Sequence, residues 1–201
     1  MYDESFWNQR YDHPDYLYGT EPNAFLAEHS GLLTGPVLSL SEGEGRNAVF
    51  LATRGLEVVG VDISSVALEK AKKLAESRGV EIKTIVADLG TFVPEENHYG
   101  SVVSIFAHLP SAVRERLYPL IESSLKPNGI IILEAYSENQ LSRDTGGPKY
   151  PDLLMTTDKL RREFANLEPI LLREVERNVS EGECHTGMGS VIQFVARRKH
   201  H

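Results

Sequence analysis

Short apolar runs alternate with helical patterns along most of the chain. Four apolar runs, each followed by polar or glycine residues, predict strands over residues 37–40, 57–62, 81–87 and 101–106. Apolar residues at helical spacing predict helices over residues 46–54, 65–78 and 111–125. Alternating strands and helices are typical of an α/β fold with a parallel sheet.

The two ends of the chain extend this pattern. Helices are predicted over residues 4–12 and 22–30, around a turn at 18–20. After a turn at 126–129, the pattern predicts a fifth strand at 130–135, a loop at 137–152 and a short helix at 157–165. Two more strands are predicted at 168–178 and 188–197. The last two strands are joined by Ser180–Glu183, which is short enough for an antiparallel hairpin. We therefore expect one α/β domain over residues 1–201, with a mostly parallel seven-stranded sheet, an antiparallel C-terminal hairpin and helices on both faces.

Composition narrows the class of protein. A chain of 201 residues with a formal net charge of -8 lacks the basic character typical of nucleic-acid binding. No apolar stretch is long enough to cross a membrane, and the first residues do not resemble a signal peptide. Cys184 is the single cysteine, which fits a reducing compartment such as the cytoplasm. We treat His200 and His201 as the remnant of a tag.

A glycine turn follows the first strand. Gly43 and Gly45 stand between this strand and the helix that opens near Asn47. Glycine lets a ligand approach the main chain, and the helix start favours the ligand's anionic end. With Ala48, the spacing also matches the dinucleotide pattern G-x-G-x-x-G/A.

Two carboxylates follow at the ends of the next strands. Asp62 ends the second strand, about 20 residues after the glycine turn, where a carboxylate can accept hydrogen bonds from ribose hydroxyls. It could instead cap the following helix, although Ser64 or Ser65 can do so equally well. Asp88 ends the third strand, which suits an adenine amine and favours S-adenosylmethionine over a dinucleotide. A nicotinamide-dependent oxidoreductase and a non-catalytic cofactor-binding protein stay open as alternatives.

From Phe6 to about Arg197 the chain resembles the class I S-adenosylmethionine-dependent methyltransferases, and within them the tellurite-resistance, TehB-like branch. The segments that carry the resemblance are Phe6–Tyr11, Tyr18–Asn23, Glu42–Asn47, Val61–Ser64, His108–Pro110, Leu125–Gly129 and Thr145–Pro148. The resemblance implies the Rossmann-like class I fold and S-adenosylmethionine as cofactor. The chain departs from the usual pattern at Ser39, where an acid is common, and at Ser41 and Glu42, where small residues are common.

The candidate cofactor residues lie along these strand ends and in the N-terminal segment. They are Tyr18, Ser41, Glu42, Gly43, Gly45, Asn47, Asp62, Ile63, Asp88, Leu89, Ser104 and Phe106. Glu42 is either solvated or an acceptor for the α-amino group of the cofactor. Ile63 and Leu89 either sandwich the adenine or belong to the core. Residues 1–30 either form a lid over the cofactor or pack as an amphipathic helix.

The acceptor side is predicted from residues beyond the fourth strand. His108, Arg143 and His185 are the candidate catalytic residues, and Lys149 accompanies them. If these groups converge, they form a cationic mouth that attracts a small anionic or soft methyl acceptor. A soft nucleophile needs no general base, whereas a protonated oxygen or nitrogen does, and His108 or His185 could supply it. We therefore expect a small-molecule acceptor, with a metalloid oxyanion as the candidate that the resemblance suggests.

Overall fold

The computed structural model describes residues 3–182 and 185–199, and at residue 185 it describes the backbone alone. Its strands are β1 Val37–Leu40, β2 Val58–Asp62, β3 Lys83–Val86, β4 Tyr99–Ile105, β5 Leu125–Tyr136, β6 Leu167–Glu181 and β7 His185–Arg198. Its α-helices are α1 Glu4–Tyr11, α2 Ala24–His29, α3 Arg46–Thr53, α4 Ser65–Ser77, α5 Ser111–Ser124 and α6 Thr157–Glu163. Short 3-10 helices lie at Ser30–Leu32, Glu138–Ser142 and Pro151–Leu153.

The sheet has seven strands in the order β3-β2-β1-β4-β5-β7-β6. The first five strands along the chain pair in parallel, and β7 pairs antiparallel with both β5 and β6. The predicted architecture is therefore confirmed, including the C-terminal hairpin. Because β1 lies between β2 and β4, their carboxyl ends meet at one edge, where open α/β sheets bind ligands.

Several predicted boundaries differ from the structure. The turn predicted at 126–129 is part of β5, because Leu125 pairs with Tyr99 before the parallel ladder resumes at Ser101 and Ile130. The hairpin is longer than predicted, since its pairing runs from Leu167 with Arg198 to Glu181 with His185. The longer hairpin brings Glu181 toward the N-terminal segment, where it takes part in the site described below.

Helices cover both faces of the sheet. On one face, α5 and α6 contribute Leu117, Ile121 and Leu160 to the larger hydrophobic core. On the other face, α2 and α3 contribute Phe25 and Leu51. None of the helices in the described part of the chain is long and apolar enough to cross a membrane.

Candidate functional site

Every second residue of the glycine turn, from 41 to 45, has a left-handed backbone. The φ angles are 49° at Ser41, 63° at Gly43 and 97° at Gly45. A Cβ atom on Gly43 would lie 3.0 Å from the hydroxyl oxygen of Tyr11. A Cβ atom on Gly45 would lie 2.7 Å from the Cα of Ala71 in α4. Gly43 therefore keeps the main chain open toward the N-terminal segment, while Gly45 allows α3 to pack closely on α4.

Glu42 lies beneath this turn and is buried. One carboxylate oxygen accepts the Ala48 N–H at 2.9 Å, and the other accepts a short hydrogen bond from Ser39. Gly45, the N-cap of α3, has no side chain to cap the helix, so Glu42 performs that role from three residues upstream. Burial raises the pKa of Glu42 to about 7, against the opposing effect of both hydrogen bonds. The interpretation of Glu42 as a solvated residue is therefore wrong, and its contact with an α-amino group stays a prediction.

Asp62 ties the end of β2 to the glycine turn. Its carboxylate accepts the Gly43 N–H at 2.8 Å and the Ser64 N–H at 2.9 Å. Burial raises its pKa, and these backbone hydrogen bonds oppose the rise. Ser64 is the N-cap of α4, with its hydroxyl accepting the Ala67 N–H at 3.1 Å. The helix-cap interpretation of Asp62 is therefore wrong, and the carboxylate is positioned for another role.

The structure places the other predicted cofactor residues along the neighbouring edge. Asp88 is exposed just beyond β3, and its carboxylate accepts the Gly90 N–H at 2.7 Å. Ile63 is half-buried, whereas Leu89 is buried within the larger core. The core interpretation therefore fits Leu89, and its contact with adenine stays a prediction. Ser104 is buried near the carboxyl end of β4.

The N-terminal segment packs directly on the glycine turn. Asn8 of α1 accepts a hydrogen bond from the Ser64 hydroxyl at 2.8 Å, which places α1 at the start of α4. Tyr18 contacts Tyr11 edge to face, with ring centroids 6.2 Å apart. Its backbone N–H lies 3.4 Å from the carboxylate of Glu44, the residue between the two glycines. Sequence reasoning did not identify Glu44, because a single carboxylate in a glycine turn carries no signal of its own.

A buried polar cluster joins the turn to the C-terminal hairpin, and sequence reasoning missed it. Asn23 donates from its side-chain amide to Glu134 at 3.1 Å and to Glu181 at 2.8 Å. Arg46, the first residue of α3, forms an ion pair with Glu181 at 2.5 Å. Asn47, a predicted cofactor residue, accepts the Asn23 N–H at 3.0 Å. These partners come from four distant parts of the chain, so no local pattern links them.

The acceptor side is aromatic. Phe106, with φ of 52°, has its ring centroid 4.8 Å from that of Tyr136. The His108 ring stacks on Tyr136 at 5.6 Å, and its Nδ1 lies 3.3 Å from the Leu153 carbonyl oxygen. Because the carbonyl can only accept, Nδ1 carries the proton and Nε2 keeps a lone pair. This Nε2 is buried and has no hydrogen-bond partner among the described residues. Burial lowers the pKa of His108 to about 4, so the ring is neutral near pH 7.

The residues predicted to form a cationic mouth have partners or are neutral where the structure describes them. Arg143 donates to the Glu176 carboxylate at 2.5 Å. Lys149 lies 3.6 Å from the carboxylate of Asp144 and donates to the Arg143 carbonyl at 2.6 Å. His108 is neutral, and the side chain of His185 lies outside the described residues. Nearby carboxylates therefore offset the charge of two members and burial keeps a third neutral, and the convergence of the four groups stays a prediction.

A family model described as a methyltransferase domain matches residues 37–129. A curated relative from Mycobacteroides abscessus, 2-heptyl-1-hydroxyquinolin-4(1H)-one methyltransferase, is 28% identical over 131 residues. The match covers 64% of this chain and 58% of that relative. The chain therefore spans less than two thirds of the relative's length.

Two solved structures share the fold over 98% of this chain. One comes from work on the conversion of a disulfide bond into a thioacetal group during echinomycin biosynthesis, with a TM-score of 0.79, 21% identity and 92% of that chain covered. The other is TehB from Haemophilus influenzae, with a TM-score of 0.71, 17% identity and 67% of that chain covered. The family model favours the methyltransferase interpretation over the nicotinamide alternative.

Proposed function

From the methyltransferase domain and class I fold that this chain carries, we propose that it transfers a methyl group from S-adenosylmethionine to a small molecule. The observation that carries the proposal is the hydrogen bond from the Gly43 N–H to Asp62 at 2.8 Å. It joins the bare main chain of the glycine turn to a buried carboxylate at the end of the neighbouring strand. A ligand with an amino-acid end and a ribose fits this pair.

The residues present fit this cofactor. A Cβ atom at Gly43 would crowd the turn, so a side chain there would fill the space of close approach. Asp62 would hold the ribose hydroxyls, and Asp88 the adenine amine. When bound, S-adenosylmethionine supplies a methyl group on an electrophilic sulfonium. The protein then has to align the acceptor and exclude water, which can contribute roughly 7 to 11 kcal/mol in favourable cases.

We assign to His108 the role of general base toward the methyl acceptor. The Leu153 carbonyl oxygen fixes its tautomer and leaves the Nε2 lone pair available for the proton of an oxygen or nitrogen acceptor. An imidazole with a pKa of about 4 is a weak base, so it suits an acidic hydroxyl better than an ordinary alcohol.

The aromatic surroundings support a planar acceptor over an oxyanion. Phe106, His108 and Tyr136 present ring contacts, whereas the cations expected to hold an oxyanion are paired. The Mycobacteroides abscessus relative is named for a hydroxyquinolone, which has a planar ring system with a hydroxyl group on the ring nitrogen. We therefore propose a planar aromatic hydroxyl as the acceptor, and the metalloid oxyanion of the TehB-like branch is the competing candidate.

Calorimetric titration with S-adenosylhomocysteine and with NADH tests the cofactor. We expect binding of the first alone, and binding of NADH alone would overturn the proposal. Asp62→Asn should weaken S-adenosylhomocysteine binding by about 2 kcal/mol, because a charged acceptor becomes a neutral amide. Asp158→Ala is the control, since Asp158 is an exposed residue of α6 that is paired with Arg161.

Turnover against hydroxyquinolines, thiols, tellurite and selenite then tests the acceptor. We expect methylation of the aromatic hydroxyls, with His108→Gln lowering turnover while cofactor affinity stays unchanged. Activity restricted to the oxyanions would support the TehB-like candidate instead. Cofactor binding with no methylation of any of these acceptors would favour a non-catalytic cofactor-binding protein.

A further inference from the structure

A strap of residues 11–18 crosses the glycine turn between the end of α1 and the predicted cofactor residue Tyr18. Its first residue, Tyr11, is buried, and its hydroxyl oxygen stands over Gly43. The Asp62 carboxylate beside it belongs to a residue that is only 6% exposed. The strap therefore covers Asp62 from solvent, so it has to move for the cofactor to enter.

One ammonium group holds the strap in place. Lys70 of α4 donates from Nζ to the carbonyl oxygens of His13 at 2.9 Å and Asp15 at 2.7 Å, with the Tyr11 carbonyl oxygen at 3.4 Å. The Tyr16 hydroxyl in turn donates to the Lys70 carbonyl at 3.1 Å. The ammonium also lies 5.1 Å from the centroid of the Tyr16 ring.

The same ammonium reaches into the glycine turn. It forms a close ion pair with Glu44, whose side chain is 2% exposed, while the Lys70 side chain is 13% exposed. Glu44 also contacts the backbone N–H of Tyr18 at the far end of the strap. Lys70 therefore joins α4, the strap and the glycine turn through one point of contact. A buried charge in such a position is costly to leave without its partner.

Taking S-adenosylmethionine as the cofactor, as proposed above, we propose that Lys70 is a positioning residue that latches the strap over the cofactor. Entry of S-adenosylmethionine and exit of S-adenosylhomocysteine require the contacts of Lys70 with the strap carbonyls to break. The strength of this latch then sets the rate of cofactor exchange. Lys70 touches neither the methyl group nor the acceptor in this assignment, so its effect on chemistry is indirect.

Trp7 provides a reporter for the latch. It is the single tryptophan of the chain, and its ring stacks on Tyr11 with centroids 5.7 Å apart. Stopped-flow chase of bound S-adenosylhomocysteine by excess S-adenosylmethionine measures release through Trp7 fluorescence, with rapid filtration of radiolabelled ligand as an independent readout. Lys70→Met keeps much of the apolar stem and removes the charge.

We expect Lys70→Met to release S-adenosylhomocysteine at least about tenfold faster, with a smaller change in the association rate. Lys72→Met is the matched control on the same helix, because Lys72 pairs only with exposed Glu69 among the contacts described for its ammonium. Its release rate should stay within about twofold of wild type. A general loss of stability lowers the melting temperature without this selective change in release.

Lys70→Met removes the cation that pairs with the buried Glu44 carboxylate, so Glu44→Gln/Lys70→Met is made in parallel. The double variant removes both charges. If the single variant does not fold, the release rate of S-adenosylhomocysteine is measured on the double variant instead. Wild-type binding with an unchanged release rate in the folded variant would overturn the latch and leave the proposed function intact. Failure of the wild type to bind S-adenosylhomocysteine would overturn both.

Discussion

The cofactor side and the acceptor side lie at the same edge of the sheet, but they stabilise their buried polar groups differently. On the cofactor side, Glu42 and Asp62 are bonded to backbone N–H groups within 19 residues along the chain. On the acceptor side, His108 relies on the carbonyl oxygen of Leu153, 45 residues away, and on stacking with Tyr136. The first side therefore accommodates carboxylates through nearby donors, whereas the second keeps an imidazole neutral by burial.

The difference shows how local geometry and distant packing share the site. A glycine turn between a strand and a helix exposes N–H groups wherever it occurs, so nearby carboxylates find donors. Aromatic packing around His108 depends on where the segment 136–153 packs against the sheet. A short stretch of sequence does not encode that position. Each of the following variants changes a residue on one of the two sides.

The largest effect is expected at the turn itself. Gly43→Val should abolish S-adenosylhomocysteine binding, because φ is 63° and a Cβ atom would lie 3.0 Å from the Tyr11 hydroxyl oxygen. Calorimetry measures the loss. Gly55→Val is the control, since Gly55 has φ of 85° but open space around its Cβ position. Equal losses in both variants would show that backbone strain, and not the position over the turn, is responsible.

A large loss of stability is expected at the second glycine. Gly45→Ala should destabilise the fold by about 3 kcal/mol, because strain at φ of 97° adds to a Cβ position 2.7 Å from the Ala71 backbone. Gly55→Ala, with strain but open space, should cost only about 1 kcal/mol. Chemical denaturation of both variants gives the difference. Similar values would contradict close packing of α3 on α4 as the reason for Gly45.

Glu42 should make stability fall as pH rises. Its pKa of about 7 in the folded protein exceeds the ordinary value of 4.5, so the folded state holds a proton that the unfolded state loses first. Over the interval between these two values, this group should remove about 3 kcal/mol of stability, and Glu42→Gln should remove that dependence. Unfolding free energies of wild type and variant across this range measure it. Parallel pH profiles would mean that Glu42 is ionised in the folded protein.

His108 should act in the opposite direction and with a smaller effect, because the residue as a whole is half-buried although its Nε2 is buried. Its pKa of about 4 lies below the ordinary value of 6.5, so the unfolded state takes up a proton first as pH falls. Stability should therefore decrease from pH 6.5 toward pH 4, and His108→Gln should reduce that decrease. The same unfolding series measures this slope. A variant that loses stability with acid as steeply as wild type would show that His108 is solvated.

The smallest effect is expected at Arg143. Its guanidinium pairs with Glu176, whose side chain is 62% exposed, and such pairs contribute at most about 1 kcal/mol. Arg143→Ala should therefore change both turnover and cofactor affinity by less than about fivefold. Steady-state kinetics and calorimetry measure the two. A large, selective loss of turnover would restore the cationic mouth and favour an anionic acceptor.

The sequence alone determined the fold and the parts of the site that depend on nearby residues. Apolar runs and helical spacing identified the strands and helices, because each pattern follows directly from burial on one or both faces. Gly43, Gly45 and Asp62 could be placed together from the sequence because the turn and the strand end that it meets are read from short segments, and their role in binding stays a prediction. The identities of Ser39 and Glu42 were visible as departures, although their pairing was not.

Only the tertiary structure decided where charges are neutralised and which distant segments meet. It turned Glu42 into the acceptor for Ser39 and for the start of α3, and it paired Arg143 with a carboxylate on β6. It also brought Lys70 to the strap and to Glu44. The physical reason is that a side chain's ionisation and partners depend on burial and on three-dimensional proximity. Both quantities arise from packing between segments that the linear order keeps apart.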